Sequence, residues 1–199
     1  TIDKLLEISQ RSPSGTNTQP WQVYVCTGAV RQAITDDVLA LVAEGKSKKY
    51  EDFDYYPPTW SELHNSRRRS VGWGLYGLLG IEKGDRAAMA KQGARNFKFF
   101  DAPVGLFITT DIYLSLGSWA DAGMYIQTIM LAARGLGLHT CPQAAWISFQ
   151  EPVFRHLGIP DDQALVSGMS LGYADDGAIE NTLVSEREDV ANVAHFRGF

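Results

Sequence analysis

Apolar and polar positions recur with two different periods along this chain, and the switches between them lay out its elements. Ile2, Leu5, Leu6 and Ser9 fall at helical spacing, with Thr1 placed to cap them. Over WQVYVCT, residues 21–27, Trp21, Val23 and Val25 alternate with Gln22, Tyr24 and Cys26, the period of a strand. Val30, Ile34, Val38, Leu41 and Val42 mark a second helix. Residues 44–66 break the pattern with charges, aromatics and Pro57-Pro58, which predicts an excursion over the surface. Two helical segments follow, over 61–81 and 84–97.

APVGLFITT, residues 102–110, is an apolar run closed by Asp111, the pattern of a buried strand. Ser118 is expected to cap the longest helix, WADAGMYIQTIMLAARGLGL, which is apolar nearly all the way round. A helix without a polar face belongs inside a large core or between subunits. Trp119, Met124, Tyr125, Ile126, Ile129, Met130 and Leu131 are more than one domain of this size can enclose, which predicts a homodimer. A strand over HTCPQAAW, a helix over EPVFRHLG and a strand over ALVSGMSLGY complete the regular elements. From Ala174 to Phe199 no period is visible, so this stretch reads as an arm over the surface or over a partner. No repeat or linker divides the chain, and a single α+β domain over residues 1–199 is expected.

Composition narrows the function classes. With 199 residues, 45% of them hydrophobic, the chain can build a sizeable core. A net charge of −5 argues against a nucleic-acid surface, which needs a basic field. Arg67-Arg68-Arg69 is the one basic cluster, and a solvated face or an interface is its expected place. No apolar run is long enough to span a bilayer and the start does not resemble a signal peptide. The two cysteines, Cys26 and Cys141, lie in strand-like segments without CxxC spacing and read as buried thiols of a reducing compartment, the cytoplasm. Thr1 stands where a Met would open a chain, so upstream residues are expected.

Several motifs can be set aside on their context. His64, His139, His156 and His195 are scattered without metal-ligand spacing, so no metal site is expected. GMSLG, residues 168–172, matches the Gly-x-Ser-x-Gly elbow of serine hydrolases, with Ser170 as nucleophile. That motif needs a strand–Ser–helix turn, whereas Tyr173-Ala174-Asp175-Asp176-Gly177 follows as a turn, so packed small residues are the better reading. RGLGL, residues 134–138, has two glycines of a dinucleotide loop but closes a helix instead of opening one, which makes it a helix stop.

RSPSGTNTQPW, residues 11–21, is different. Ser14, Gly15, Thr16, Asn17 and Gln19 offer hydroxyls, backbone N–H groups and two carboxamides in quick succession. A carboxamide presents donor and acceptor together, which suits the amide-like edge of a flavin or pyrimidine ring. In CPQAAW, small residues after Pro142 and Gln143 would let backbone N–H groups approach a flat ligand. Arg187, in SEREDV, could pair with a phosphate.

Taken together, Pro-Ser-Gly-Thr-Asn-x-Gln-Pro-Trp, NFKFFDAPV at 96–104, the apolar helix ending in ARGLGL, CPQAAW and the late Arg187 resemble the FMN-dependent nitroreductase family over essentially the whole chain. The resemblance implies a three-layer α/β/α sandwich around a mostly antiparallel sheet, in an intertwined dimer whose C-terminal arms embrace the partner. It implies that Pro13, Ser14, Gly15, Asn17 and Gln19 line FMN, that Pro142 and Gln143 pack near the ring, and that the Ala144 N–H faces N5. Arg187 would hold the phosphate, and Asn96, with Arg95 and Lys98 as alternatives, would reach the pyrimidine edge. Two departures are visible. The family's N-terminal arginine-serine cluster does not precede Ile2, and Ala144 replaces a glutamate, leaving only a backbone contact there.

The implied chemistry is electron transfer from NAD(P)H through FMN to a small aromatic acceptor, nitroaromatic or quinone-like. Donor and acceptor would stack on one ring face in turn, giving ping-pong kinetics, and no side-chain acid or base is assigned a catalytic role. Reductive dehalogenation or flavin cleavage on the same fold is the alternative, and hydrolysis at Ser170 the alternative from another class. The aromatics Tyr50, Phe53, Tyr55, Tyr56 and Trp60 are expected to help roof the pocket.

Overall fold

Four segments with strand periodicity pair into one antiparallel sheet of order β1-β2-β4-β3. They are β1 (Trp21–Thr27), β2 (Val104–Asp111), β3 (His139–Gln143) and β4 (Gln163–Gly172). The computed structural model describes residues 1–47 and 55–198; Tyr50, Phe53 and Phe199 lie outside them. The chain forms two compact units, Thr1–Tyr55 with Ala90–Ala174, and Tyr56–Met89 with Asp175–Phe199.

In the first unit the sheet is the middle of three layers. Successive side chains of a strand point to opposite faces, so β2 sends Leu106 and Ile108 to one side and Phe107 to the other. On the first side they meet Leu5 of α1 (Ile2–Ser9) and Tyr125, Ile129 and Ala133 of α5 (Leu116–Gly135). On the second side they meet Ile34 and Val38 of α2 (Gly28–Ala43) and Val153 and Phe154 of α6 (Gln150–Leu157). The α+β sandwich with an antiparallel centre is therefore present.

Two glycines on the α2/α6 side let large rings reach the sheet. A Cβ on Gly168 would lie 2.2 Å from Trp146 Cδ1, and one on Gly105 would lie 2.4 Å from the Phe99 ring. Trp146 and Phe99 sit with centroids 4.6 Å apart, and Phe97 and Phe107 meet Trp146 edge-on. Phe99, Phe100 and Asp101 hold φ of 54°, 50° and 68° within the 3-10 turn Arg95–Asp101, a left-handed run that non-glycine residues rarely adopt. Cys26 is enclosed beside this cluster, and burial pushes its thiol up to about 11.

Several boundaries differ from the sequence expectation. α5 starts at Leu116 with Ser115, not Ser118, at the N-cap position, and Thr1 occupies the N-cap of α1 without a side-chain bond. The predicted helix over 84–97 is α4 (Arg86–Ala94) followed by the 3-10 turn, and the strand from His139 stops at Gln143, where Ala144–Phe149 turns away. Cys141 is exposed on edge strand β3, not buried. α5 is also more one-sided than its composition suggests. Tyr125 and Ile129 are fully enclosed by their own chain, while Leu116, Met124 and Leu131 remain outside. At its C-terminus Gly137, at φ 75°, ends the helix as expected, with the Leu138 N–H returning to the Ala133 carbonyl at 2.8 Å.

In the second unit, α3 (Glu62–Leu78) is capped by Ser61, whose hydroxyl accepts from the His64 N–H. Arg67 pairs with Glu188, and the Arg68 guanidinium lies 5.3 Å from the Trp60 ring centroid. Arg67, Arg68 and Arg69 are all exposed. The stretch that showed no period carries a 3-10 turn, Ile179–Thr182, and the short helix α7 (Val190–Val193). Tyr56 and Phe196 are exposed and Trp60 is half-buried; Tyr55, which belongs to the first unit, is exposed as well.

Candidate functional site

Between the two prolines, the opening loop folds around a tight 3-10 turn, Gly15–Asn17; Thr16 and Asn17 within it hold φ of 48° and 61°, and Gln19 beyond it 47°. Local hydrogen bonds compensate this unusual backbone. The Asn17 N–H donates to the Ser14 carbonyl at 3.1 Å, and the Gln19 N–H donates to Ser14 Oγ at 2.9 Å. Gln19 Nε2 reaches the Asn17 carbonyl at 3.2 Å.

Helix α5 then pins the loop at two points one turn apart. Asp121, only 7% exposed, accepts the Gly15 N–H at 3.1 Å. Tyr125 stacks on Trp21 with centroids 4.5 Å apart and planes 12° apart. Residues at i and i+4 share a helix face, so one stripe of α5 holds both ends of the loop. Burial raises the Tyr125 phenol above its ordinary range. Neither residue was singled out as part of the site from sequence. A lone carboxylate in an otherwise apolar helix was the available signal.

Gln143, the last residue of β3, is 2% exposed, and its side chain is fully engaged inside the protein. Ser170 Oγ donates to Gln143 Oε1 at 2.6 Å, and Gln143 Nε2 donates to the Asn96 carbonyl at 2.6 Å. Asn96 Nδ2 in turn donates to the Gly93 carbonyl at 3.0 Å. Gln143, Asn96 and Ser170 are thus brought together. Pro142 is exposed beside them, and Ala144, half-buried, opens a 3-10 turn in which its N–H has no intrahelical carbonyl to reach.

The opening loop and the Gln143 cluster lie at opposite edges of the sheet. β2 and β4 stand between β1 and β3, three inter-strand steps that amount to roughly 14 Å. Along the strands they are offset as well: Trp21 pairs with Thr110 and Thr110 with Ala164, near the start of β4, while β3 leaves the sheet at Gln143, opposite Gly168 in the middle of β4. One protomer therefore presents two half-sites, at opposite edges of its sheet.

Arg187 is exposed, and its Nη1 donates to the carbonyls of Ser185 and Glu186 and to Ser185 Oγ. Arg95 pairs with Asp101 at 3.3 Å, and Lys98 accepts from Arg31 through its backbone carbonyl. Ser170 is 4% exposed in the middle of a strand pair and donates its proton to an amide, so it cannot serve as a hydrolase nucleophile. Among the described residues no group of three or more His, Cys, Asp or Glu side chains could hold a metal ion, and no helix is long and apolar enough to cross a membrane.

The donor set suits FMN. The exposed loop carries the carboxamides of Asn17 and Gln19 and the hydroxyls of Thr16 and Thr18 on a backbone that is already held in place. Comparison with known proteins agrees. The sequence profile of the nitroreductase family matches residues 1–173. A 4-nitrobenzoate reductase of Pseudomonas putida is 40% identical over 199 residues, covering 100% of this chain and 86% of the relative. A nitrobenzene nitroreductase of Ectopseudomonas oleovorans is 37% identical over 196 residues, covering 98% of this chain and 86% of the relative. The crystal structure of the FMN and NADPH-dependent nitroreductase NfnB from Sphigopyxis sp. strain HMH superposes with a TM-score of 0.95 at 38% identity, covering 100% of this chain and 89% of that one.

Proposed function

The chain belongs to the nitroreductase family, and from that premise we propose that it is an NAD(P)H-dependent FMN nitroreductase acting on small nitroaromatic compounds. One observation carries the reading: the loop from Pro13 to Trp21 is held rigid by Asp121 and Tyr125 while its carboxamides face solvent. FMN, when bound, supplies the hydride acceptor and electron donor that no side chain of this protein can replace.

The residues proposed to hold it are Pro13, Ser14, Gly15, Asn17 and Gln19 from the loop, Asn96, Pro142, Gln143 and Ala144 from the other half-site, and Arg187 for the phosphate. Their work is binding and orientation. Backbone and carboxamide donors at the pyrimidine edge favour negative charge there, and an N–H from Ala144 orients the ring for hydride transfer. For Gln143 the role is indirect, because its carboxamide is already bonded on both sides. No side chain is assigned as acid or base.

The active unit is proposed to be a homodimer. A separation of about 14 Å between half-sites exceeds the reach of hydrogen bonds from one ring edge, and a second copy supplies the missing half. Leu116, Met124 and Leu131 on the outer side of α5 give such an interface apolar area. Both cysteines are free, in keeping with the reducing cytoplasm as its place.

The test begins with the purified protein, which is expected to show a flavin spectrum released by denaturation. NAD(P)H oxidation should depend on added 4-nitrobenzoate or nitrobenzene, with parallel double-reciprocal lines. Colourless protein that takes up no FMN would refute the reading. Sedimentation should show a dimer, and removal of residues 190–199 should weaken dimerisation and flavin retention together; an active, FMN-loaded monomer would refute the shared site.

A further inference from the structure

Two backbone carbonyls fix the direction of every hydrogen bond around Gln143. A carbonyl only accepts, so the Asn96 carbonyl at 2.6 Å must face the Gln143 amide nitrogen. That leaves Oε1 toward Ser170, whose hydroxyl must therefore donate. By the same logic the Gly93 carbonyl takes one proton from Asn96 Nδ2. The second proton of that nitrogen stays unassigned, on a half-buried side chain whose Oδ1 lies 3.5 Å from Gln143 Nε2.

A buried carboxamide, here 2% exposed, is costly unless both of its ends are satisfied. Packing alone would be served as well by a leucine. What the carboxamide adds is orientation. It ties Ser170 of β4 to the end of β3 and to the backbone of the 3-10 turn that carries Asn96.

We propose that Ser170 and Gln143 are positioning residues that lock Asn96 as a hydrogen-bond donor toward the pyrimidine edge of FMN and thereby raise the flavin's reduction potential. This rests on the FMN reading above. A donor held at that edge stabilises the charge that reduction places there, and a loosened donor stabilises it less. The Gly-x-Ser-x-Gly motif that mimics a hydrolase elbow thus works as the anchor of a relay, not as a nucleophile.

The experiment is a spectroscopic redox titration of the FMN-loaded protein, with thermal melting run alongside. Ser170→Ala and Gln143→Leu should each lower the two-electron equilibrium about tenfold, or roughly 30 mV. Ser170→Thr keeps a hydroxyl and should hold the wild-type potential. Asn96→Ala retains the carbonyl that Gln143 uses, so it tests the relay even where a core variant fails to fold. It should show the same fall, and adding Ser170→Ala to it should change nothing further.

Lowered melting temperature with an unmoved potential in Ser170→Ala would mean a purely structural role and would overturn the proposal. So would an unmoved potential in Asn96→Ala. Wild-type protein that binds no FMN would instead defeat the functional reading itself.

Discussion

Asp121 on α5 accepts a hydrogen bond from the backbone N–H of Gly15, 106 positions earlier in the chain, at 3.1 Å. The bond joins a nearly buried carboxylate to a loop whose backbone is otherwise held by its own residues. Hydrogen bonds to charged groups contribute about 1.5–3 kcal/mol. Asp121→Ala should therefore lower the melting temperature by about 2–4 °C per kcal/mol lost. FMN affinity should fall with it, while Asp121→Asn, which keeps an acceptor, should recover much of both. Equal stability and equal flavin titration in Asp121→Ala would show that the loop needs no anchor.

Gly168 is required by the Trp146 ring, not by backbone conformation. A methyl group there would sit 2.2 Å from Cδ1 of a fully buried indole. Overpacking of this kind costs about 1–3 kcal/mol or more. Gly168→Ala should shift the denaturant midpoint downward with little change in slope. Gly93→Ala is the control, because nothing lies within 4 Å of its added carbon, and it should be neutral or stabilising.

Asp37 links α2 to α6 through His156 at 2.6 Å and Arg155 at 3.0 Å. The hydrogen bond from His156, then that from Arg155, holds the Asp37 carboxyl below its ordinary 3.8. A depressed carboxylate binds fewer protons in the folded state, so its contribution is present above pH 3.8 and fades as pH falls through the lower folded value. Asp37→Asn should melt slightly below wild type near neutrality, and the two curves should converge in acid. The pair is exposed, so added salt should narrow the neutral difference. Parallel melting curves across the whole pH range would contradict this.

Arg187 lies in an exposed turn where its guanidinium meets only carbonyls and one hydroxyl of Ser185 and Glu186 among its hydrogen bonds. Exchanging those contacts for a phosphate gives a charge-assisted pair of about 1.5–3 kcal/mol. Arg187→Ala should accordingly weaken FMN binding roughly tenfold to a hundredfold in a fluorescence titration. An unchanged affinity would remove Arg187 from the phosphate site.

What the sequence determined by itself is what depends on neighbours in the chain. Period-two alternation marked β1, and the buried runs marked β2 and β4. Helical spacing marked α1, α2 and α5, and Gly137 closed α5 where a glycine is needed for a left-handed residue. The polar stretch between Pro13 and Pro20 read as an exposed loop, because small hydrogen-bonding residues bury too little apolar surface to be core.

Tertiary structure decided what depends on partners distant in sequence. Asp121 reads as a stray charge in an apolar helix until the fold brings Gly15 to it. Gln143 reads only as a polar residue after a proline until Ser170 and the Asn96 carbonyl occupy both ends of its amide. Tyr125 and Ile129 read as surplus for an interface until the sheet and α1 enclose them. In each case the residue type states only what bonds a side chain can make, and the packed fold settles which of them it does make.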